Sequence, residues 1–410
     1  MSSMQISSSP VTLSIDFSKS PTIFNEDSYT TPEKILEIVF AFLKEVDKKA
    51  KENKGVDNRK LPHSPETKEG LSRITELLFK HKGALKDSPT LVGEILTADC
   101  LHLKVDQRIE LIQAASGITT IDMSKTEITY EQLETLLSKN PQTKRLDLRK
   151  CTDLTWPTDN ITSGSGTMQD SSKGKKSEEK SDIPTPLSYL KELEEVNLGE
   201  MPELTDAALG SIQSGVVKAA KFRKCTKLTP KGLADFISKE PMLVKLSVRG
   251  TATDVSVMAS IAALKWLKDL DLHRCDKLDG NKALESLSDS SQIVILSMRD
   301  NKTLLDEAVI GFAKTHPHLE ELILAGCKLL TDASLNALQK CQKLKKLDIR
   351  DNKNFSVEAI IAFVTASKGL KLLTLGEEDF TLEFAKELEK LNPNLKVKLE
   401  RNSKSNSPSS

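Results

Sequence analysis

The stretch LILAGCKLLTDASLNAL at 322–338 decides the fold. Its first half alternates apolar and polar positions around Leu322 and Leu324, the period-2 signature of a short strand. Thr331 then offers a helix cap, and Leu335 and Leu338 follow at helical spacing. Related stretches recur as LDLRKCTDLT at 146–155 and LDLHRCDKLD at 270–279. Marking the central apolar residue of each copy gives Met123, Leu148, Leu198, Phe222, Val248, Leu272, Met298, Leu324, Ile349, Leu375 and Leu399. The interval is 24 to 26 residues, with one double gap between Leu148 and Leu198. A unit of that length buries no core of its own, so the copies must stack on one another into a solenoid. The predicted class is α/β, with parallel strands on the concave side and helices on the convex side over 117–400. A small α-rich domain precedes the array.

The helical halves are LTDAALGSI (204–212), LTPKGLADFI (228–237), LTDASLNAL (330–338) and FSVEAIIAFV (355–364). Thr205, Thr229, Thr331 and Ser356 stand where N-caps belong, and Pro230 suits a first helical turn. Cys151, Cys225, Cys275 and Cys327 fall three residues after the central position, where Asn301 and Asn352 stand in other copies. One cysteine per rung of a ladder is not a metal-ligand spacing. The expected role is structural, each side chain packing inside its turn and bonding to backbone, and Cys341 reads the same way.

These residues resemble the cysteine-containing leucine-rich repeats of F-box substrate receptors, whose pattern is L-x-x-L-x-L-x-x-C-x-x-L-T-D. The match is strong in the copies at 146, 270, 322 and 347. Ala220, Phe222 and Thr251 depart from it. The resemblance implies a curved array and a recognition role.

From Pro157 to Pro186 runs PTDNITSGSGTMQDSSKGKKSEEKSDIPTP, too polar to bury a core, which reads as a disordered insertion within the array. The tail at 401–410 reads likewise. Residues 1–30 are polar, with one alternating run, VTLSIDF at 11–17, that suits a strand. Helical apolar spacing follows over 31–52, and LSRITELLFKHKG, PTLVGEILTADCLHLK and VDQRIELIQAAS predict three more helices. Within this 31–116 domain, TTPEKILEIVFAFLKEV (30–46) and TLVGEILTADCLHLKVDQRIELI (90–112) resemble the BTB/POZ fold of the small adaptors that link F-box proteins to cullins. PEKILEIVFAFL is also similar to the opening of an F-box. Either resemblance implies a ubiquitin-ligase subunit as partner, whereas a plain helical cap for the solenoid implies none.

Lys+Arg and Asp+Glu both number 59, so no global field draws the chain to nucleic acid or to acidic membrane. No apolar run reaches the roughly 18 residues of a membrane span. Six cysteines without a disulfide pattern fit a reducing cytosol, with export into a host cytosol as the other route. Phosphate loops, zinc-helix motifs and nucleophile elbows are absent, so neither catalysis nor a cofactor or metal is expected. His316 and His318, flanking Pro317, read as solvated.

The residue after each central position points outward by strand alternation. Down the array it reads Arg149, Gly199, Arg223, Arg249, His273, Arg299, Ala325, Arg350 and Gly376. Arg149, Arg223, Arg249, His273, Arg299 and Arg350 are therefore the expected ligand-binding residues of the concave face. Asp147, Asp271 and Asp348 lie in the adjoining column, whereas Arg223 and Arg249 have no acid of their own rung there. An acidic or phosphorylated protein ligand would suit them. The functional expectation is a non-enzymatic adaptor for a cullin-type ubiquitin ligase. Its alternatives are a repeat-protein regulator or inhibitor of an enzyme and a bacterial effector that mimics host adaptors.

Overall fold

The computed structural model describes residues 65–97, 101–156 and 185–401. The alternating run at 11–17, the helix expected over 31–52, most of the 157–186 insertion and the tail after Arg401 lie outside the described residues. Backbone contacts divide the chain into two compact units, Met1–Met123 and Ser124–Ser410.

In the first unit, helices α1 (Pro65–Lys80), α2 (Pro89–Thr97) and α3 (Val105–Ala114) precede strand β1 (Thr120–Asp122). Leu78, Leu85, Val92, Ile95, Leu111 and Ile112 form its core. Arg108 is buried and donates to the carbonyl oxygens of Leu103 at 3.2 Å and Asp122 at 2.8 Å. It also pairs with the Asp122 carboxylate at 3.1 Å. On the other side, Gly93 lets Thr120 approach so closely that an added Cβ would lie 3.2 Å from Thr120 Cβ. These contacts tie the strand before Met123 to the helices of the first unit.

The second unit is the array. Its ten described strands are β2 (Arg145–Asp147), β3 (Glu195–Asn197), β4 (Ala219–Lys221), β5 (Lys245–Ser247), β6 (Asp269–Asp271), β7 (Ile295–Ser297), β8 (Glu321–Ile323), β9 (Lys346–Asp348), β10 (Leu372–Gly376) and β11 (Lys396–Glu400). Each pairs in parallel with the next in sequence order. The register keeps the repeat, because Leu146, Val196, Ala220, Leu246 and Leu270 lie opposite one another, as do Leu296, Leu322, Leu347 and Leu373. Strand β2 meets β3 directly, so Leu148 and Leu198 occupy adjacent rungs despite the double gap. The described residues resume at Thr185, inside the stretch read as an insertion. Thr185, Pro186 and Leu187 are buried, and a 3-10 turn at Pro186–Tyr189 packs on helix α4 (Tyr130–Lys139). Strands spaced at about 4.8 Å and helices that need about 8–10 Å cannot stack straight, so the strand layer takes the inner curve.

Rung-to-rung bonding extends beyond the strands. The buried Cys225, Cys275 and Cys327 thiols donate to the carbonyl oxygens of Leu198 (3.0 Å), Val248 (3.3 Å) and Met298 (3.2 Å), the central residues one rung back. Asn352 does the same to Leu324 at 2.9 Å. Asn301 instead donates to Leu278 at 3.1 Å, and Cys151 lies 3.9 Å from the Thr126 hydroxyl. Cys341 sits 3.8 Å from the carbonyl oxygens of Ala313 and His316. Burial pushes the Cys225, Cys275 and Cys327 thiols up to about 12, which keeps them protonated donors.

A third link joins the helices. Thr229, Thr331 and Ser356 cap helices α6 (Pro230–Lys239), α10 (Asp332–Leu338) and α11 (Val357–Ala366) with their side-chain oxygens. Their own N–H and hydroxyl groups donate to Asp206, Asp306 and Asp332, acids of the first helical turn one rung back. The Thr205-Asp206 and Thr331-Asp332 pairs thus each cap their own helix and hold the next, whereas Asp306, which follows Leu305, only holds the next.

The residue two places after each central position is left-handed throughout Lys150, Glu200, Lys224, Gly250, Arg274, Asp300, Gly326 and Asp351, with φ between 53° and 72°. Its N–H, at Lys224 for example, donates across the rung to the carbonyl oxygen of Arg249 at 2.8 Å, and Gly250 donates to His273 at 2.8 Å. A Cβ carries a penalty of about 1 kcal/mol in that conformation. Gly250 is spared it, and an added Cβ there would meet nothing closer than 3.5 Å. Gly250→Ala should therefore lose about 1 kcal/mol by denaturant titration, whereas Lys224→Gly one rung earlier should show no loss.

Candidate recognition surface on the strand face

The position after each central apolar residue lies between the strand and the left-handed turn, on the inner face. The six residues expected to grip a ligand differ sharply in what already holds them. Arg350 is nearly buried and forms a fork on Asp348, with Nη2 at 2.6 Å and Nε at 2.9 Å, and it also pairs with Glu400. Burial works against its charge, but bonding to Asp348 and the charges of Asp348 and Glu400 outweigh it and push its pKa up. His273 is only 5% exposed and lies 3.1 Å from Asp300 through Nε2. Burial drives its pKa down despite that partner, and Arg249 adds to the fall, so the ring is neutral at pH 7 and donates Nε2–H to Asp300. The donors of both residues are spent inside the protein.

Arg299 stands 3.8 Å from Asp300, and Arg223 stands 3.7 Å from Glu200, an acid of the preceding rung. Arg149 and Arg249 make no ion pair within 4 Å among the described residues, and the Nε atoms of Arg149 and Arg223 are buried without a hydrogen-bond partner. Of the three aspartates in the adjoining column, only Asp348 serves the arginine side chain of its own rung. Asp147 accepts from the Arg149 N–H at 2.8 Å and the Asn197 amide at 2.9 Å. Asp271 accepts from the His273 N–H at 3.1 Å and the Ser247 hydroxyl at 2.9 Å.

Arg249 is the electrostatic centre of the face. Half-burial lowers its pKa first, and the charges of Arg223, Arg274 and Arg299 press it down further against the pull of Asp271. Adjacent strands are spaced about 5 Å apart, and two unit charges held at that separation repel by roughly 1 kcal/mol even in water. One carboxylate relieves the cluster on its C-terminal side. Asp300 accepts from Arg274 Nε at 2.8 Å and from His273, with Arg299 beyond. Burial opposes its ionisation, yet the bonds from His273 and Arg274 and the nearby positive charge hold the carboxyl far below the usual carboxylate range.

Two residues lay hidden from the sequence. Arg274 and Asp300 sit at the left-handed position, whose side chains rejoin the inner face although strand alternation makes no claim on them. Gly250 and Gly326 at that position were the available signal. His316 corrects the expectation of a solvated ring. It is fully buried, stacks on Phe312 with ring centroids 3.7 Å apart, and lies 3.0 Å from the Ser290 carbonyl oxygen through Nε2. Nδ1 lies 2.8 Å from the Thr315 hydroxyl, so a neutral tautomer satisfies both nitrogens, in line with a pKa lowered by burial. His318, two residues on, is exposed.

Searches by sequence match no family model and no curated protein. Solved structures of similar fold include a chain of the yeast Rad7–Elc1 complex, 16% identical with a TM-score of 0.49, covering 92% of this chain and 90% of that one. An internalin of Listeria monocytogenes is 13% identical with a TM-score of 0.43, covering 73% and 78%. The leucine-rich-repeat protein LegL7 of Legionella pneumophila is 14% identical with a TM-score of 0.35, covering 50% and 82%. Among the described residues no helix is long and apolar enough to cross a membrane, and no three His, Cys, Asp or Glu residues group as a metal site would need.

The depressed pKa of Asp300 has a pH signature. The native state favours the ionised carboxylate, so its contribution is complete above the unfolded value of about 3.9 and is lost as pH falls below it. Asp300→Asn should cost about 2 kcal/mol at pH 7 and flatten the loss of stability between about pH 5 and pH 2. Denaturant titration across that range checks it, and parallel curves for the two proteins would contradict the assignment.

Proposed function

We propose that this chain is a non-enzymatic recognition scaffold that holds an acidic or phosphorylated segment of another protein on its inner face. The reading rests on one observation, the under-neutralised guanidinium cluster around Arg249. Arg223 and Arg249 carry the contact, with Arg149 and Arg299 extending it along the array. Arg350 and His273 stand outside the contact, since their donors are already engaged. Forked N–H donors on successive rungs of a strand layer spaced at about 5 Å suit carboxylates or phosphates presented along an extended segment. The face is nearly without aromatic anchors, so binding is electrostatic and weakens with salt.

The finer reading is that the scaffold serves a cullin-type ubiquitin ligase as substrate adaptor. It is supported by the resemblance of the repeats to those of F-box receptors and of 30–46 and 90–112 to the BTB/POZ adaptors. In the second of these stretches, helices α2 and α3 follow one another as that resemblance requires, while 30–46 lies outside the described residues.

Affinity capture from a eukaryotic lysate with the full chain tests both levels. Arg223→Glu combined with Arg249→Glu should leave the circular dichroism unchanged and lose the inner-face ligands, while retaining cullin or ligase subunits. An unchanged set of captured proteins would remove the arginine cluster from recognition. Recovery of ligands without any ligase subunit would remove the adaptor role alone.

A further inference from the structure

Three consecutive rungs carry an exposed apolar residue at one register position. Val216, Met242 and Trp266 each stand six residues before the central position of their rung, on the turn that enters β4, β5 and β6. They are 41%, 45% and 57% exposed, whereas the next residues, Val217, Leu243 and Leu267, are buried. The flanking rungs hold Glu192 and Gln292 at that position, so the stripe has polar ends. Single exposed apolar residues are ordinary. Three stacked in register, ending on an exposed tryptophan, form a contact surface of the kind that anchors a partner.

The charge around the stripe is predominantly positive. Lys239, Lys245, Lys265 and Lys268 are exposed beside it and make no ion pair within 4 Å among the described residues. Lys218 pairs with Glu194 at 2.7 Å, and Lys239 donates to the Gly210 carbonyl oxygen at 3.5 Å. Within 213–219, 239–245 and 263–269 the carboxylates are those of Glu240, which is buried and accepts from the Val217 N–H at 3.1 Å, and of Asp269, which is half-buried and in register with Lys245. Asp269 partly offsets Lys245, and Lys239, Lys265 and Lys268 leave the three turns with an excess of positive charge.

We propose that this stripe docks an acidic amphipathic helix of another protein. Two rung spacings come to about 10 Å. That matches the rise of about 10.5 Å between helical residues i and i+7, so one apolar face at i, i+3 or i+4, and i+7 lies over all three side chains. Acidic residues on the shoulders of that helix then meet the lysines. The stripe precedes the strands while the arginine column follows them, so this surface does not depend on the inner-face reading.

The test uses the full chain and a labelled designed peptide with leucines at i, i+3 and i+7 and glutamates on both shoulders. A twin peptide carries lysines in place of the glutamates. Fluorescence anisotropy should show saturable binding of the acidic peptide, at least tenfold tighter than its twin and weakened as salt rises from about 50 to about 500 mM. Tryptophan emission should shift to the blue, because Trp266 becomes covered whereas Trp156 is buried already. Trp266→Ala and Met242→Ser should each weaken binding at least tenfold, and Lys265→Glu with Lys268→Glu should reverse the preference between the peptides. No saturable binding, equal binding of the twin, or undiminished binding to Trp266→Ala would overturn the proposal. So would sedimentation showing a wild-type dimer that Trp266→Ala dissolves, since a second copy would then cover the stripe.

Discussion

Every rung of this molecule must find hydrogen-bond partners in the next one. A strand of three residues supplies only a short ladder, and a buried donor or acceptor left over costs roughly 1–3 kcal/mol. The chain meets the demand by carrying rung-to-rung bonding past the strand on both sides. The left-handed N–H reaches the next rung, Cys225, Cys275, Cys327 and Asn352 reach back to the preceding central carbonyl, and Asp206, Asp306 and Asp332 clamp the next helix cap. Together these fix a register that cannot slip by one residue without burying polar side chains.

The same register makes the inner face an electrostatic problem. Identical positions stack about 5 Å apart, so like residues in a column become like charges at close range. The C-terminal half resolves this internally, through Arg350 with Asp348 and Glu400 and through Asp300 with His273 and Arg274. Around Arg249 the neutralisation is incomplete. An anionic partner would relieve repulsion there that the fold leaves in place, which is why the cluster and not the arginine count carries the functional reading.

The sequence showed what periodicity controls. The strands, their parallel order, the caps at Thr205, Thr229, Thr331 and Ser356 and the adjacency of Leu148 to Leu198 all depend on local pattern and a fixed interval. What it hid depends on contacts between rungs. Arg350 finds Glu400, 50 residues away, and Arg223 finds Glu200 at the left-handed position, where no alternation rule places a side chain. His316 reads as a loop histidine because it adjoins Pro317, yet the ring turns inward onto Phe312 and the Ser290 carbonyl. The Val216–Met242–Trp266 stripe needed the register too, since the three residues are unremarkable until aligned.

Site-resolved hydrogen exchange on the intact chain tests the register most directly. The account predicts that the turn amides of Lys150, Glu200, Lys224, Gly250, Arg274, Asp300 and Gly326 are protected as strongly as the strand-end amides of Leu148, Leu198 and Phe222, because all donate to the next rung. Turn amides that exchange as fast as unbonded ones, beside protected strands, would contradict the rung-to-rung bonding on which the array and both of its surfaces depend.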